Sequence, residues 1–103
     1  MDFGEEMTIL SDQFPLKEMY NLSSQLRRSA DSIALNIYEG SIEQSALEFK
    51  RFLGYSIQST AKVVTCLHKA KRRKYISNRI FENHYKEAYH LMNMMIAFKK
   101  SVK

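Results

Sequence analysis

The chain has one cysteine, one proline and three glycines in 103 residues, and each shortage excludes something. A lone Cys66 cannot form an internal disulfide and suits a reducing compartment; between Thr65 and Leu67, in a helical pattern, it reads as a small core residue. Gly4, Gly40 and Gly54 stand far apart, so there is no glycine-rich phosphate loop. No apolar run approaches the roughly 18 residues that span a bilayer, and the acidic opening MDFGEEM does not read as a signal peptide. The expectation is a cytoplasmic protein with no membrane partner. β-branched alternation, internal repeats and low-complexity tracts are missing too. What remains is a chain of one-domain size, residues 1–103, with 45 % hydrophobic and 26 % charged residues, the balance of a folded protein.

The dominant period is helical. Phe3, Met7, Leu10 and Phe14 line a first helix that Pro15 ends, because the residue before proline is pushed out of the helical region. A second helix is expected from about Asn21 to Glu39, with Leu22, Leu26, Ala30, Ile33 and Ile37 on one stripe and Gly40 as a left-handed stop. Ser45 and Glu48 form a capping box for a third, running to about Lys74 through Phe49, Leu53, Ile57, Val64 and Leu67. Ser77 caps a fourth, which carries Ile80, Phe81, Tyr85, Ala88, Leu91, Met92, Met95, Phe98 and Val102. Short turns between four helices predict an all-α, antiparallel up-down-up-down four-helix bundle with a short first helix.

Two features are wrong for a solitary bundle. A third helix of about 30 residues is roughly 45 Å long, whereas the first offers about 12 residues, or roughly 18 Å. Part of the long helices therefore lacks a fourth neighbour. Helix four is also apolar on more than one face, and helix three carries a second stripe of Phe52, Tyr55, Val63 and Cys66. A helix greasy on two sides needs a second partner, so Phe52, Tyr55, Val63, Met92, Met94, Met95 and Phe98 are the expected oligomer interface.

Charge is lopsided. Residues 1–48 hold three Lys/Arg against nine Asp/Glu, a net −6; residues 49–103 hold thirteen against two, a net +11. Residues 69–74 read KAKRRK, five cations in six positions. The helix macrodipole favours cations at a C-terminus by about 0.3–1 kcal/mol each, but so dense a cluster exceeds that need. Lys69, Lys71, Arg72, Arg73 and Lys74 form one basic pole, near the Asp12–Lys17 connection and Arg79. Lys50, Arg51, Lys99, Lys100 and Lys103 form another at the opposite end.

Helix two carries a polar stripe, Gln25, Arg28, Ser32, Asn36 and Glu39, beside its apolar seam. An antiparallel return places Arg28 opposite Ile57 and lets Glu48 and Arg51 meet the Asn36–Glu39 end. A hydrogen-bonded structural or interface network is the natural outcome, since unpartnered buried charge is costly. Phosphate contact through Arg27 and Arg28 is the competing reading, and a catalytic carboxylate the remotest.

The stretch LSSQLRRSADSIALNIYEG at 22–40, followed by SALEFKRFLGYSIQS at 45–59, resembles the family of four-helix-bundle proteins encoded in intervening sequences of bacterial 23S rRNA genes. The resemblance is carried by Leu22, Ser23, Gln25, Leu26, Arg27, Arg28, Ser32, Ile33, Asn36, Ile37, Glu39 and Gly40, then by Ser45, Glu48, Phe49, Arg51, Phe52, Leu53 and Ser56. Phe14-Pro15 stands where that family has Phe-Pro. Ala34 replaces the family's usual proline, which implies a straighter helix two. The resemblance implies a homo-oligomer, typically a five-membered ring, and an association with RNA through genomic context. Accessory proteins of diversity-generating retroelements, which are thought to engage a reverse transcriptase, look similar in architecture.

Enzymatic chemistry is thin. Glu87-x-x-His90 has the spacing of half a di-iron site, but the second pair is absent. His68, His84 and His90 have no Cys or Asp partners at ligand spacing, and nothing resembles an activated nucleophile. No catalytic residue, metal or cofactor is expected. Two functions remain. One is an oligomer whose basic poles hold RNA or DNA, with Tyr55, Tyr75 and Tyr85 as candidate stacking surfaces. The other is an adaptor whose apolar groove takes a partner helix, for instance from a reverse transcriptase.

Overall fold

The computed structural model describes residues 2–43 and 45–102. Among them run four α-helices: α1 (Phe3–Asp12), α2 (Leu22–Ser41), α3 (Ala46–Arg72) and α4 (Asn78–Ser101), with a 3-10 turn at Leu16–Glu18. Successive helices pack side by side, α1 on α2, α2 on α3 and α3 on α4, in the antiparallel bundle that the periodicity predicts. No helix among the described residues is long and apolar enough to cross a membrane.

Local chemistry starts each helix where side chains can satisfy free amides. Asp2 accepts from the Glu5 amide at 2.8 Å, Ser45 from Glu48 at 3.3 Å and Ser77 from Ile80 at 3.1 Å. The Glu48 carboxylate does not complete the capping box; it pairs with Arg51 at 3.3 Å instead. α2 runs unbroken through Ala34.

Gly40 corrects an expectation. It is not a left-handed stop: α2 continues through it to Ser41, and no glycine has positive φ. Its missing side chain matters for another reason. A Cβ there would lie 2.9 Å from Phe52 Cβ and 3.0 Å from Phe49 Cδ1, so glycine lets α3 close against the end of α2.

The apolar stripes meet in one core, built from Met7 and Leu10 of α1, Leu22, Leu26 and Ile33 of α2, Val63 and Leu67 of α3, and Phe81 and Met95 of α4. Fully burying each such leucine stabilises the fold by about 1.5–3 kcal/mol. Val63 and Met95 therefore leave the expected interface: they are 0 % and 5 % exposed in the single chain. Each sits on the inward side of a helix whose apolar surface is wider than one stripe.

The bundle is 43 Å long, but the ten residues of α1 span only roughly 15 Å of it. Phe14 packs on Tyr75 at one end, while Phe3 reaches the level of Ile37 and Leu91. Beyond that level the bundle has three helices, and apolar side chains are left facing outward.

Candidate nucleic-acid interface

The basic run lies at the turn from α3 to α4, held by backbone and side-chain locks. α3 ends in a Schellman closure: the Tyr75 amide donates to the Ala70 carbonyl at 2.9 Å and the Lys74 amide to Lys71 at 3.0 Å. The left-handed residue that this closure requires is Lys74, with φ 63°. A lysine thus stands where glycine is the usual choice.

Glu18, buried in the 3-10 turn, ties the run to the connection between α1 and α2. It accepts from Tyr75 Oη at 2.6 Å and Arg73 Nη1 at 2.9 Å, and from Asn21 Nδ2 at 3.3 Å. The Tyr75 hydroxyl, with the Arg73 charge beside it, holds the Glu18 carboxyl below its ordinary value, despite burial. The same hydrogen bond raises the Tyr75 hydroxyl. Glu18 was not singled out in the sequence. Its partners lie 55 and 57 residues away, and no local signal marks it.

The five cations therefore have unequal standing. Arg73 is engaged by Glu18, and Lys71 places Nζ 4.5 Å over the Phe81 ring. Lys69, Arg72 and Lys74 are exposed, and none joins an ion pair among the described residues. Lys71, Arg72 and Lys74 line a hollow of about 550 Å³ with His68, Ile76, Ser77 and Asn78, at the start of α4. From this hollow an aromatic ladder climbs α4. Phe81 stacks on Tyr85 at 5.5 Å, and Tyr85 on the exposed Tyr89 at 6.1 Å, with His68 against Phe81 at 4.8 Å. Tyr85 is thus part of a stacked face, whereas Tyr75 is a packing and anchoring residue.

The second pole is weaker. Arg51 pairs with Glu48, and Lys99 lies over Gly54, where a Cβ would be 3.2 Å from Nζ. Lys50 is half-buried and Lys100 exposed; Lys103 lies outside the described residues.

The polar stripe of α2 divides into parts. Asn36 donates to the carbonyl and hydroxyl of Ser32 at 2.8 and 2.9 Å, and the Ser32 hydroxyl meets that of Ser59 at 2.8 Å. Ser56 donates to the Ile33 carbonyl at 2.9 Å. Gln25 bonds back to Asn21 at 3.2 Å. Glu48 and Arg51 bind each other rather than the Asn36–Glu39 end, and no hydrogen bond among the described residues joins Glu39 or Arg28 to the network. Arg28 faces Lys62, Thr65 and Cys66 across a cleft, not Ile57, because the register between α2 and α3 sits about one turn from the expected one. Arg27, one residue on, is half-buried.

Of the expected interface, Tyr55, Met94 and Phe98 are exposed and Phe52 and Met92 half-buried. Phe98 packs edge-on against Phe49, and Phe52 against Tyr55. The sequence reading missed Leu35, Tyr38, Ile42 and Leu47, each more than half exposed at the same end. Leu35, Tyr38 and Ile42 have helical spacing, which was the available signal. Its pull was hidden by the stronger stripe on the opposite face.

His84 has one partner at helical spacing, Glu87, and one that primary spacing conceals, Glu6. Its Nδ1 meets Glu87 Oε1 at 2.9 Å, and with Glu6 of α1 all three offer ligand atoms within 4.8 Å of one another. Glu87 thus turns to His84, not to His90. The facing Glu87 carboxyl and burial push the Glu6 carboxyl up, and one Glu6 oxygen is buried without a hydrogen-bond partner.

Among known proteins, residues 1–97 match the sequence model of a family described as 23S rRNA-intervening sequence protein. No curated protein matches the chain.

Proposed function

The chain belongs to the 23S rRNA-intervening sequence protein family, and from that premise and the geometry of its basic end we propose a function. It is a non-enzymatic, self-associating helical bundle that holds RNA or DNA by the phosphate backbone, without strong sequence readout. The observation that carries this reading is the α3–α4 turn. Lys69, Arg72 and Lys74 fall within six positions of one another, are exposed and join no ion pair among the described residues, although like charges repel. The aromatic ladder beside them ends in an exposed Tyr89, a surface on which a base can stack.

Self-association multiplies the effect. The outward-facing Leu35, Tyr38, Ile42, Leu47, Met94 and Phe98 favour burial against further copies, a pentameric ring in the arrangement that the sequence resemblance implies. Each copy then presents its basic turn, and phosphate contacts add. The test is filter binding of a single-stranded RNA across a range of salt. Log affinity is expected to fall linearly with log salt, by about 0.7 for each phosphate neutralised on a single strand. Replacing Lys69, Arg72 and Lys74 by glutamine should flatten that slope. No binding at low salt, or binding indifferent to salt, overturns the proposal. Leu35→Asp with Ile42→Asp is expected to lower the solution mass and the RNA affinity together.

A second reading has its own observation. Phe3, Ile9, Ile33, Ala34, Ile37 and Leu91 line a groove of about 650 Å³ beside the short α1, rimmed by Asp2, Glu5 and Asp31. An adaptor would take a basic amphipathic helix there, for instance from a reverse transcriptase. Loss of partner binding on Ile37→Asp, with RNA binding intact, would favour it.

A further inference from the structure

We infer that the cleft between the middles of α2 and α3 is a seat for a phosphate monoester dianion. It has a volume of about 500 Å³, and its lining includes Arg28, Lys62, Ser29, Ser32, Ser59 and Thr65, with no carboxylate. The ion pairs among the described residues are Arg51–Glu48, Arg73–Glu18 and His84–Glu87, and they engage neither Arg28 nor Lys62. Two cations thus face one cleft without a counter-charge. Cys66, at its edge, adds none: burial pushes its thiol up, so it stays neutral.

The hydroxyls strengthen the case through a donor count. Asn36 donates to Ser32 Oγ at 2.9 Å, and Ser32 Oγ and Ser59 Oγ lie 2.8 Å apart. Whichever hydroxyl donates in that pair, one of the two O–H hydrogens is left over. The floor of the cleft therefore offers a donor and the rim two cations, and what is missing is an acceptor with negative charge. A phosphate monoester carries about −1.5 to −2 at neutral pH and three strong acceptor oxygens. It matches two cations better than a phosphodiester, which carries a single charge. Charge-assisted hydrogen bonds of this kind are the strong ones.

This site is separate from the α3–α4 turn and does not depend on that turn's binding RNA. An NMR titration of the full chain with inorganic phosphate and with a mononucleotide tests it. Saturable shifts are expected at Ser29, Ser32, Ser59 and Thr65, and the Arg28→Gln, Lys62→Gln double variant should weaken binding by at least about tenfold. Both replaced side chains are exposed, so the fold is expected to survive; an unchanged helical circular-dichroism spectrum checks this. Absent or non-saturating shifts in the cleft, or equal affinity in the double variant, overturn the inference. So does equal occupancy of the cleft by oligonucleotides with terminal phosphate and terminal hydroxyl. RNA binding that survives the double variant, with no phosphate in the cleft, leaves the function proposed for the turn standing and removes this seat. Phosphate in the cleft with no RNA bound at low salt does the reverse.

Discussion

The two ends of the bundle solve opposite problems. At the α3–α4 turn, four elements converge: α1 reaches it through Phe14, the 3-10 turn brings Glu18, and Tyr75 locks both to the end of α3. The backbone there is over-determined, so exposed cations can be held in place. At the α2–α3 turn, α1 is absent, and three helices leave Leu35, Tyr38, Ile42 and Leu47 in water. One end has all four helices and the dense cation run, with Leu16 and Tyr20 exposed on its connection; the other lacks α1 and sets looser cations among exposed apolar side chains. Where a fourth helix is missing, the self-association proposed above would cover these side chains. Where it is present, the surface is free for a ligand.

The sharpest test of this contrast compares one truncation at both places. Leu67→Ala, at a site with 0 % exposure, is expected to cost about 2–5 kcal/mol in urea unfolding. Leu47→Ala, 70 % exposed, should change the dilute chain by no more than about 0.5 kcal/mol, and cost more as protein concentration rises. Similar costs in dilute chains would erase the distinction between the ends. Gly40→Ala comes next. The added methyl meets Phe52 Cβ at 2.9 Å, and overpacking costs typically about 1–3 kcal/mol, against a gain of up to about 1 kcal/mol from helix propensity. A net loss is expected by thermal melting, and a gain would show that α3 can withdraw freely from this end.

At the charged end the anchor should show as a pH dependence. Glu18 has a lowered carboxyl in the folded chain, so it contributes stability fully above the ordinary value of 4.5. That contribution is lost as pH falls through the lower folded value. Glu18→Gln should reduce Tm near neutrality and reduce it less in acid; a constant difference across this range would sink the anchoring role. The smallest effect sharpens the comparison from the other side. Lys74→Gly relieves a left-handed lysine and should stabilise the chain by about 1 kcal/mol while weakening RNA binding. Stability and function would then be opposed at one residue.

Much of the bundle was legible because helix signals are local. Ser45 and Ser77 cap where their spelling says, and Leu22, Leu26 and Ile33 bury along the stripe they spell. The candidate sites were legible only in part. KAKRRK was visible as a charge cluster, but the division between the bound Arg73 and its neighbours Arg72 and Lys74, which join no ion pair among the described residues, depends on a carboxylate far away in sequence. Of the residues that made α3 and α4 apolar on two sides, Tyr55, Met94 and Phe98 are exposed, yet Val63 and Met95 proved to be core. Which face of a doubly greasy helix turns inward is a question of packing.

Composition and periodicity alone determined four helices, their short turns, a first helix too short for its neighbours and a charge divided between halves. These follow from spacing over one or two turns and from caps that act within three residues. The tertiary structure decided the register that sets Arg28 against Lys62 rather than Ile57, the burial of Glu18, and the stretch of bundle that α1 leaves bare. Each depends on how far one helix slides along another, and that offset is fixed by interlocking side chains across the whole core, which no local stretch encodes.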